Sequence, residues 1–281
     1  MSELASAAEP TAGASPRLFG NVLCAVDGTR MSLAAVEQAA ELAGHDGHLT
    51  LLAVTALRGS APPSETAAIS PARAEGILAQ AAQLARNHGV AASAVQDPRF
   101  PAAEVILERA GEHDLLAMGA PVIPWLAGVF LDEVAVSVLR RFSVPMLLAR
   151  RSPQPSLRGR RILVASDGSE ASDRVVAIAI ALAVEQDAQL RLVCALESET
   201  HAHPYRIQAQ ASSLRERLTD TGGPHVQPGH PPEVILEALA AQEAALVVMG
   251  SRRLRGLRLL GSVSRRVAHA ASCSVLLIPP S

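Results

Sequence analysis

The sequence predicts an α/β protein built from two consecutive doubly wound units, each a five-stranded parallel sheet covered by helices on both faces. Three observations predict it. The chain repeats itself: "NVLCAVDGTRMSLAAVEQAAELA" from Asn21 matches "RILVASDGSEASDRVVAIAIALA" from Arg161, "PAAEVILERAGEHDLLAMGA" from Pro101 matches "PPEVILEALAAQEAALVVMGS" from Pro231, and "VAVSVLRRFSVPMLLAR" from Val134 matches "VSRRVAHAASCSVLLIP" from Val263. Within each copy, short β-type runs alternate with longer Ala/Leu-rich stretches of helical spacing, the pattern of right-handed crossovers onto a parallel sheet. The length, 281 residues, fits about two domains.

Taken in order, residues 1–18 are rich in Ala, Ser, Pro and Gly without an apolar signal-peptide core, so they read as a disordered tail. The first domain, 19–150, has strands expected at 22–26, 49–55, 91–96, 115–118 and 145–148, with a helix over 31–43. A proline-containing linker spans 150–160, with 151–159 as its core. The second domain, 160–281, has strands expected at 161–165, 189–195, 224–227, 246–249 and 274–278, with a helix over 171–185. The strands are continuously apolar, as strands covered on both faces are. Ligands in such sheets sit beyond the carboxyl ends of the strands, where strand order reverses. That directs attention to Asp27-Gly28-Thr29, Asp167-Gly168-Ser169-Glu170, and the loops opening at Gly119 and Gly250.

Composition excludes several classes. With 49% hydrophobic but only 2% aromatic residues, the core is small and aliphatic and offers no base-stacking platform. A net charge of −2 argues against nucleic-acid or anionic-membrane partners, and no run approaches the ~18 apolar residues of a membrane span. All 25 basic residues are arginine, which excludes a lysine Schiff base and the lysine of the common phosphate loop. Cys24, Cys194 and Cys273 lie in or beside apolar runs and read as buried, reduced thiols of a cytoplasmic protein. His201 and His203 have no companions at ligand spacing, so they read as a surface loop and no metal site is expected. Glu104 and Glu233 stand where the third helix of each copy begins, where a carboxylate favours the helix dipole. No nucleophile–base set or carboxylate pair stands out, so an enzyme is not expected.

At the strand ends the chain resembles the universal stress protein family. "VLCAVDGT" and "ILVASDGSE" match the family's first-strand turn, "LAMGA" and "VVMGS" its fourth-strand end, "GSVSRRV" at Gly261 its loop-to-helix start, and "PMLLA" and "SVLLI" its closing strand. The resemblance runs from about Phe19 to Pro280. It implies two tandem Rossmann-like sandwiches packed as an intramolecular pseudo-dimer, with 145–148 pairing against 274–278 and covering two sheet edges.

The ATP-binding branch of the family carries G-x2-G-x9-G-S/T after strand four, where glycines let backbone amides approach phosphate and the last pair opens a helix. In the second copy Gly250 and Gly261-Ser262 match the ends of this motif, Arg253 replaces its second glycine, and the stretch is two residues short. The nucleotide-facing set implied by the resemblance is Ala165, Ser166, Asp167, Ala195, Gly250, Arg252, Arg253, Gly261, Ser262 and Val263. Asp167 and Asp27 serve equally well as turn and cap residues. Arg252, Arg253, Arg255 and Arg258 either supply phosphate charge or form a solvated loop. In the first copy Val122 stands at the second glycine and Asp132-Glu133 at the helix start, while 120–130 is an apolar stretch suited to packing or a protein partner. The expectation is therefore a stress-response regulatory module that binds ATP or another adenine nucleotide in its second domain only. The alternative is a nucleotide-free scaffold with both sites decayed, and a slow ATP hydrolase ranks last. Protein partners and a homodimer of pseudo-dimers are compatible with either reading.

Overall fold

The computed structural model describes residues 17–55, 69–120, 133–152, 156–196, 204–218, 223–251 and 262–280. Residues 1–16 of the expected tail, His201 and His203, the arginines at 252–258, Gly261 and nearly all of 120–130 lie outside them. The first domain runs β1 (Asn21–Ala25), α1 (Arg30–Ala43), β2 (His48–Val54), α2 (Pro71–Asn87), β3 (Ala91–Asp97), α3 (Ala102–Ala110), β4 (Leu115–Gly119), α4 (Glu133–Arg141) and β5 (Met146–Ala149). The second repeats the order as β6 (Arg161–Ala165), α5 (Glu170–Glu185), β7 (Gln189–Leu196), α6 (Pro204–Arg217), β8 (His225–Pro228), α7 (Pro231–Ala241), β9 (Leu246–Gly250), α8 (Ser262–Ala270) and β10 (Ser274–Ile278).

Local chemistry sets the helix starts. Thr29 accepts from Ser32 N at the start of α1, and Ser70 accepts from Arg73 N ahead of Pro71 in α2. The capping therefore falls on Thr29 rather than on Asp27, whose Oδ1 instead accepts from Thr29 N at 2.8 Å and closes the turn. Gly28 and Gly168 both have positive φ, 82° and 69°, which is why each first-strand turn is Asp-Gly.

Neighbouring strands form one sheet in the order β3-β2-β1-β4-β5-β10-β9-β6-β7-β8. Every pairing is parallel except β5 with β10, which run antiparallel with Val275 opposite Leu148, Leu276 opposite Leu147 and Leu277 opposite Met146. The two closing strands thus bury each other's edge across a pseudo-twofold axis. Alternate strand residues feed the two faces. Val22, Cys24, Leu246 and Val248 pack beneath α1, α2, α5 and α6, while Leu23, Val247 and Met249 pack beneath α3, α4, α7 and α8. The outer strands depart from the expected continuous apolar coverage. β3 is exposed at four of its seven residues and β8 alternates between half-buried and exposed, because a sheet edge has a neighbour on one side only.

Arg150 stands in the sequence where the first domain, 19–150, meets the 150–160 linker. It is 2% exposed and lies inside the interface between the domains.

Candidate functional site

In both domains the strand order reverses beside the first strand, between β1 and β4 and between β6 and β9, so the crevice lies above their carboxyl ends. In the second domain Ala165 ends β6 and pairs with Met249, which brings Ser166 and Asp167 alongside Gly250, the last residue of β9. Ala195, near the end of β7, stands on the other flank of β6. Ser262 and Val263 open α8, Ser262 exposed and Val263 half-buried against the apolar cluster under α7 and α8. Arg266, one turn on, reaches Glu233 in the first turn of α7 at 3.3 Å, and this ties the start of α8 to the same rim of the sheet. The described members of the expected set therefore gather on one rim; Arg252, Arg253 and Gly261 lie outside the described residues.

Ser166 carries a network that the sequence reading did not anticipate. Its Oγ accepts from Gly168 N at 3.0 Å and lies 2.7 Å from Gln210 Oε1 and 2.9 Å from Ser172 Oγ. Gln210 Nε2 donates to Ser172 Oγ at 3.0 Å and to Asp173 Oδ1 at 2.6 Å, and Arg206 pairs with Asp173. Gln210, on α6, is only 4% exposed, so α6 is pinned to the first-strand turn by hydrogen bonds whose loss would strand buried polar groups. Asp167 Oδ1 accepts from Ser169 N at 2.9 Å, the same turn closure as Asp27 in the first domain. The signal available in the sequence was Ser166 itself, a polar residue where the first copy has Val26.

The first domain packs more tightly at the matching position. A β-carbon at Gly119 would stand 2.2 Å from the Met31 carbonyl carbon and 2.3 Å from Ser32 N, so the start of α1 lies directly on the end of β4. A β-carbon at Gly28 would stand 2.7 Å from Ile77 Cδ1 of α2. At Gly250 the nearest described atom is a side-chain methyl, Val175 Cγ2, at 3.2 Å. The helix starts differ too: α8 has no acidic residue in its first turn, whereas α4 begins with Glu133.

At the far end of the first domain's rim, Asp97, with a side chain 4% exposed, accepts from Arg99 and Arg109 at 2.8–3.0 Å. The hydrogen bond from Arg99, aided by Arg109 and opposed by burial, holds its carboxyl well below the usual range. Glu104 and Glu233 pair with Arg141 and Arg266, so each fastens the third helix of its domain to the fourth. Burial raises the Cys24 and Cys194 thiols and pushes Cys273 up to about 12, which keeps all three protonated and inert. Among the described residues no three His, Cys, Asp or Glu side chains cluster as a metal site, and no helix is long and apolar enough to cross a membrane.

The model of the universal stress protein family matches residues 18–150 and again 159–279. Among curated proteins none matches the sequence. A universal stress protein from Archaeoglobus fulgidus DSM 4304 is similar in structure at 19% identity, over 94% of this chain and 99% of that one, with a TM-score of 0.74. A candidate universal stress protein from Pseudomonas aeruginosa UCBPP-PA14 is similar at 20% identity, over 93% and 94% of the two chains, with a TM-score of 0.69. A functionally unknown protein from Pseudomonas aeruginosa PAO1 is similar at 20% identity, over 93% of each chain, with a TM-score of 0.68. At these identities the likeness is one of fold.

Proposed function

Since the chain belongs to the universal stress protein family, with one match to it in each half, we propose that it is a nucleotide-responsive stress protein with a single adenine-nucleotide site, in its second domain. The observation that carries this reading is the yielding contact at the second domain's switch point. Gly250 faces a movable methyl at 3.2 Å, while Gly119 already lies against the backbone of Met31 and Ser32. In the proposed arrangement the α8 amides following Ser262 meet a phosphate, whose charge the dipole of a helix start without acidic residues favours. Asp167 and the rim formed by Ala165, Ser166 and Ala195 face the nucleoside, and Arg252 and Arg253 add phosphate charge in place of the missing glycine. The role is binding without turnover, and no side chain is assigned a chemical step.

The test is direct. The purified protein is denatured and the supernatant assayed for adenine nucleotide, and the nucleotide-free protein is then titrated calorimetrically with ATP. Saturable heat below about 1 mM ATP supports the proposal. No released nucleotide and no heat would overturn it in favour of the nucleotide-free scaffold.

A further inference from the structure

The most deeply buried cation of the described residues belongs to neither candidate crevice. Arg150 follows β5 and is fully enclosed at the seam between the domains. Its backbone N donates to Ser274 Oγ at 2.9 Å, Ser274 Oγ donates to Gln38 Oε1 at 2.6 Å, and Gln38 Nε2 donates to the Arg150 carbonyl at 2.7 Å. This closed ring joins α1 and β5 of the first domain to β10 of the second. It holds the arginine backbone still, so the guanidinium has a defined origin.

The guanidinium spans the two domains. Nη1 donates to Ala120 O, just past β4, at 2.7 Å; Nη2 donates to Ala268 O, and Nε approaches Ala271 O at 3.5 Å. Ala268 lies in the last turn of α8 and Ala271 just beyond it. The carbonyls of a helix's last turn have no partner within the helix and carry its negative dipole end. A side chain of the first domain thus caps a helix of the second with a positive charge. Burial lowers the guanidinium only to about 10, so the cap stays charged at neutral pH. No carboxylate partner appears among the described residues, so three carbonyls offset the cost of burying the ion, and they do so only when held in place.

The device is one-sided. Aligning the two copies puts Pro279 opposite Arg150, Ile178 opposite Gln38 and Pro145 opposite Ser274. The second domain therefore has no matching side chain to return the cap to α4. The capped helix, α8, is the one whose opposite end begins at Ser262.

We propose that Arg150 is a positioning residue, through which the first domain fixes α8 and thereby the helix start that faces the nucleotide phosphate. The last step rests on the nucleotide reading above; the clamp on α8 does not. It gives the domain without a site a task in the domain that has one.

Hydrogen exchange read by mass spectrometry on the full chain, paired with ATP titration, tests both parts. In Arg150→Met, which keeps much of the volume and removes every donor, exchange in α8 should rise about tenfold while α4 stays as in the wild type. ATP affinity should fall by a similar factor, and Arg150→Lys, which keeps a charge at the helix end, should recover part of both. Unchanged exchange in α8 overturns the clamp, and equal loosening of α8 and α4 overturns positioning in favour of a general core role. Loosened α8 with unchanged affinity overturns the link to the phosphate. A wild type that binds no ATP removes the nucleotide reading alone, and exchange still decides the clamp. If Arg150→Met does not fold, Gln38→Leu, which breaks the ring and leaves the guanidinium, carries the same α8-against-α4 comparison.

Discussion

Asp97 and His269 show how single groups tune this molecule in two separate pH windows. The Asp97 carboxyl sits below its ordinary value of 3.8, chiefly because Arg99 donates to its ionised form. A depressed carboxylate adds stability above its ordinary pKa, and that stability is lost as pH falls below it. Asp97→Asn should therefore cost about 2 kcal/mol at neutral pH, and that cost should shrink progressively as pH falls below 4, as a series of urea melts from pH 7 down to the acid limit would show. His269, in the last turn of α8, sits below its ordinary 6.5 because of burial first and then the Arg265 and Arg150 cations. Its neutral form is the one the fold prefers, so its contribution is present above 6.5 and fades as pH falls through and below that value. His269→Gln should flatten the decline of Tm between pH 7 and pH 5 without changing Tm at pH 8.

At the scale of elements, equivalent helices and strands of the two domains have been put to different uses. The start of α1 leans on the end of β4 with its backbone, whereas at Gly250, the end of β9, the nearest described atom is a side-chain methyl of Val175 in α5. Gly119→Ala should cost about 3 kcal/mol, because backbone rather than a side-chain tip must move. Gly250→Ala should cost under about 1 kcal/mol, since Val175 can turn aside, yet it should weaken ATP binding by crowding the approach. Equal costs at the two glycines, measured by chemical denaturation, would remove the asymmetry on which the site assignment stands. Ser262→Asp places in α8 the acidic start that α4 has, and calorimetry should show ATP binding abolished with Tm little changed. Retained affinity would place the site away from α8.

For the whole molecule the decisive element is the antiparallel contact at the centre of the sheet. Leu147 and Leu276 face each other there, at 1% and 0% exposure, and the strands around them are otherwise all parallel. The pairing makes one sheet from two and, among the described residues, leaves β3 and β8 as its edges. Further bonds at the seam link Leu18 N to Glu185, Leu157 N to Glu41 and Gln186 to the Glu41 carbonyl. Leu147→Ala should lower stability by about 3 kcal/mol and both domains should melt together. Two separated calorimetric transitions in the wild type would contradict a shared core.

The family resemblance implied the paired closing strands, and the sequence by itself determined the repeat, the ten strand positions to within a residue or so, and the turns. Those features rest on local rules: apolar runs, helical spacing, Asp-Gly before a cap. The convergence of strand ends in any sheet of this order also pointed to the turns at Asp27 and Asp167 and the loops opening at Gly119 and Gly250, whereas Ala195, Ser262 and Val263 came from the family resemblance. Only the tertiary structure decided which glycine lies against backbone and which against a movable side chain, since Gly119 and Gly250 end near-identical strands and differ in how closely a helix packs on them. Only the tertiary structure made Arg150, at the junction of domain and linker, a buried cap, because two of the three carbonyls that receive it lie more than a hundred residues away in the other domain. Gln210 and Ser166 belong to the same class. Patterns within a segment declare what a segment becomes, whereas polar partners that meet inside a core are set by how whole domains close on each other.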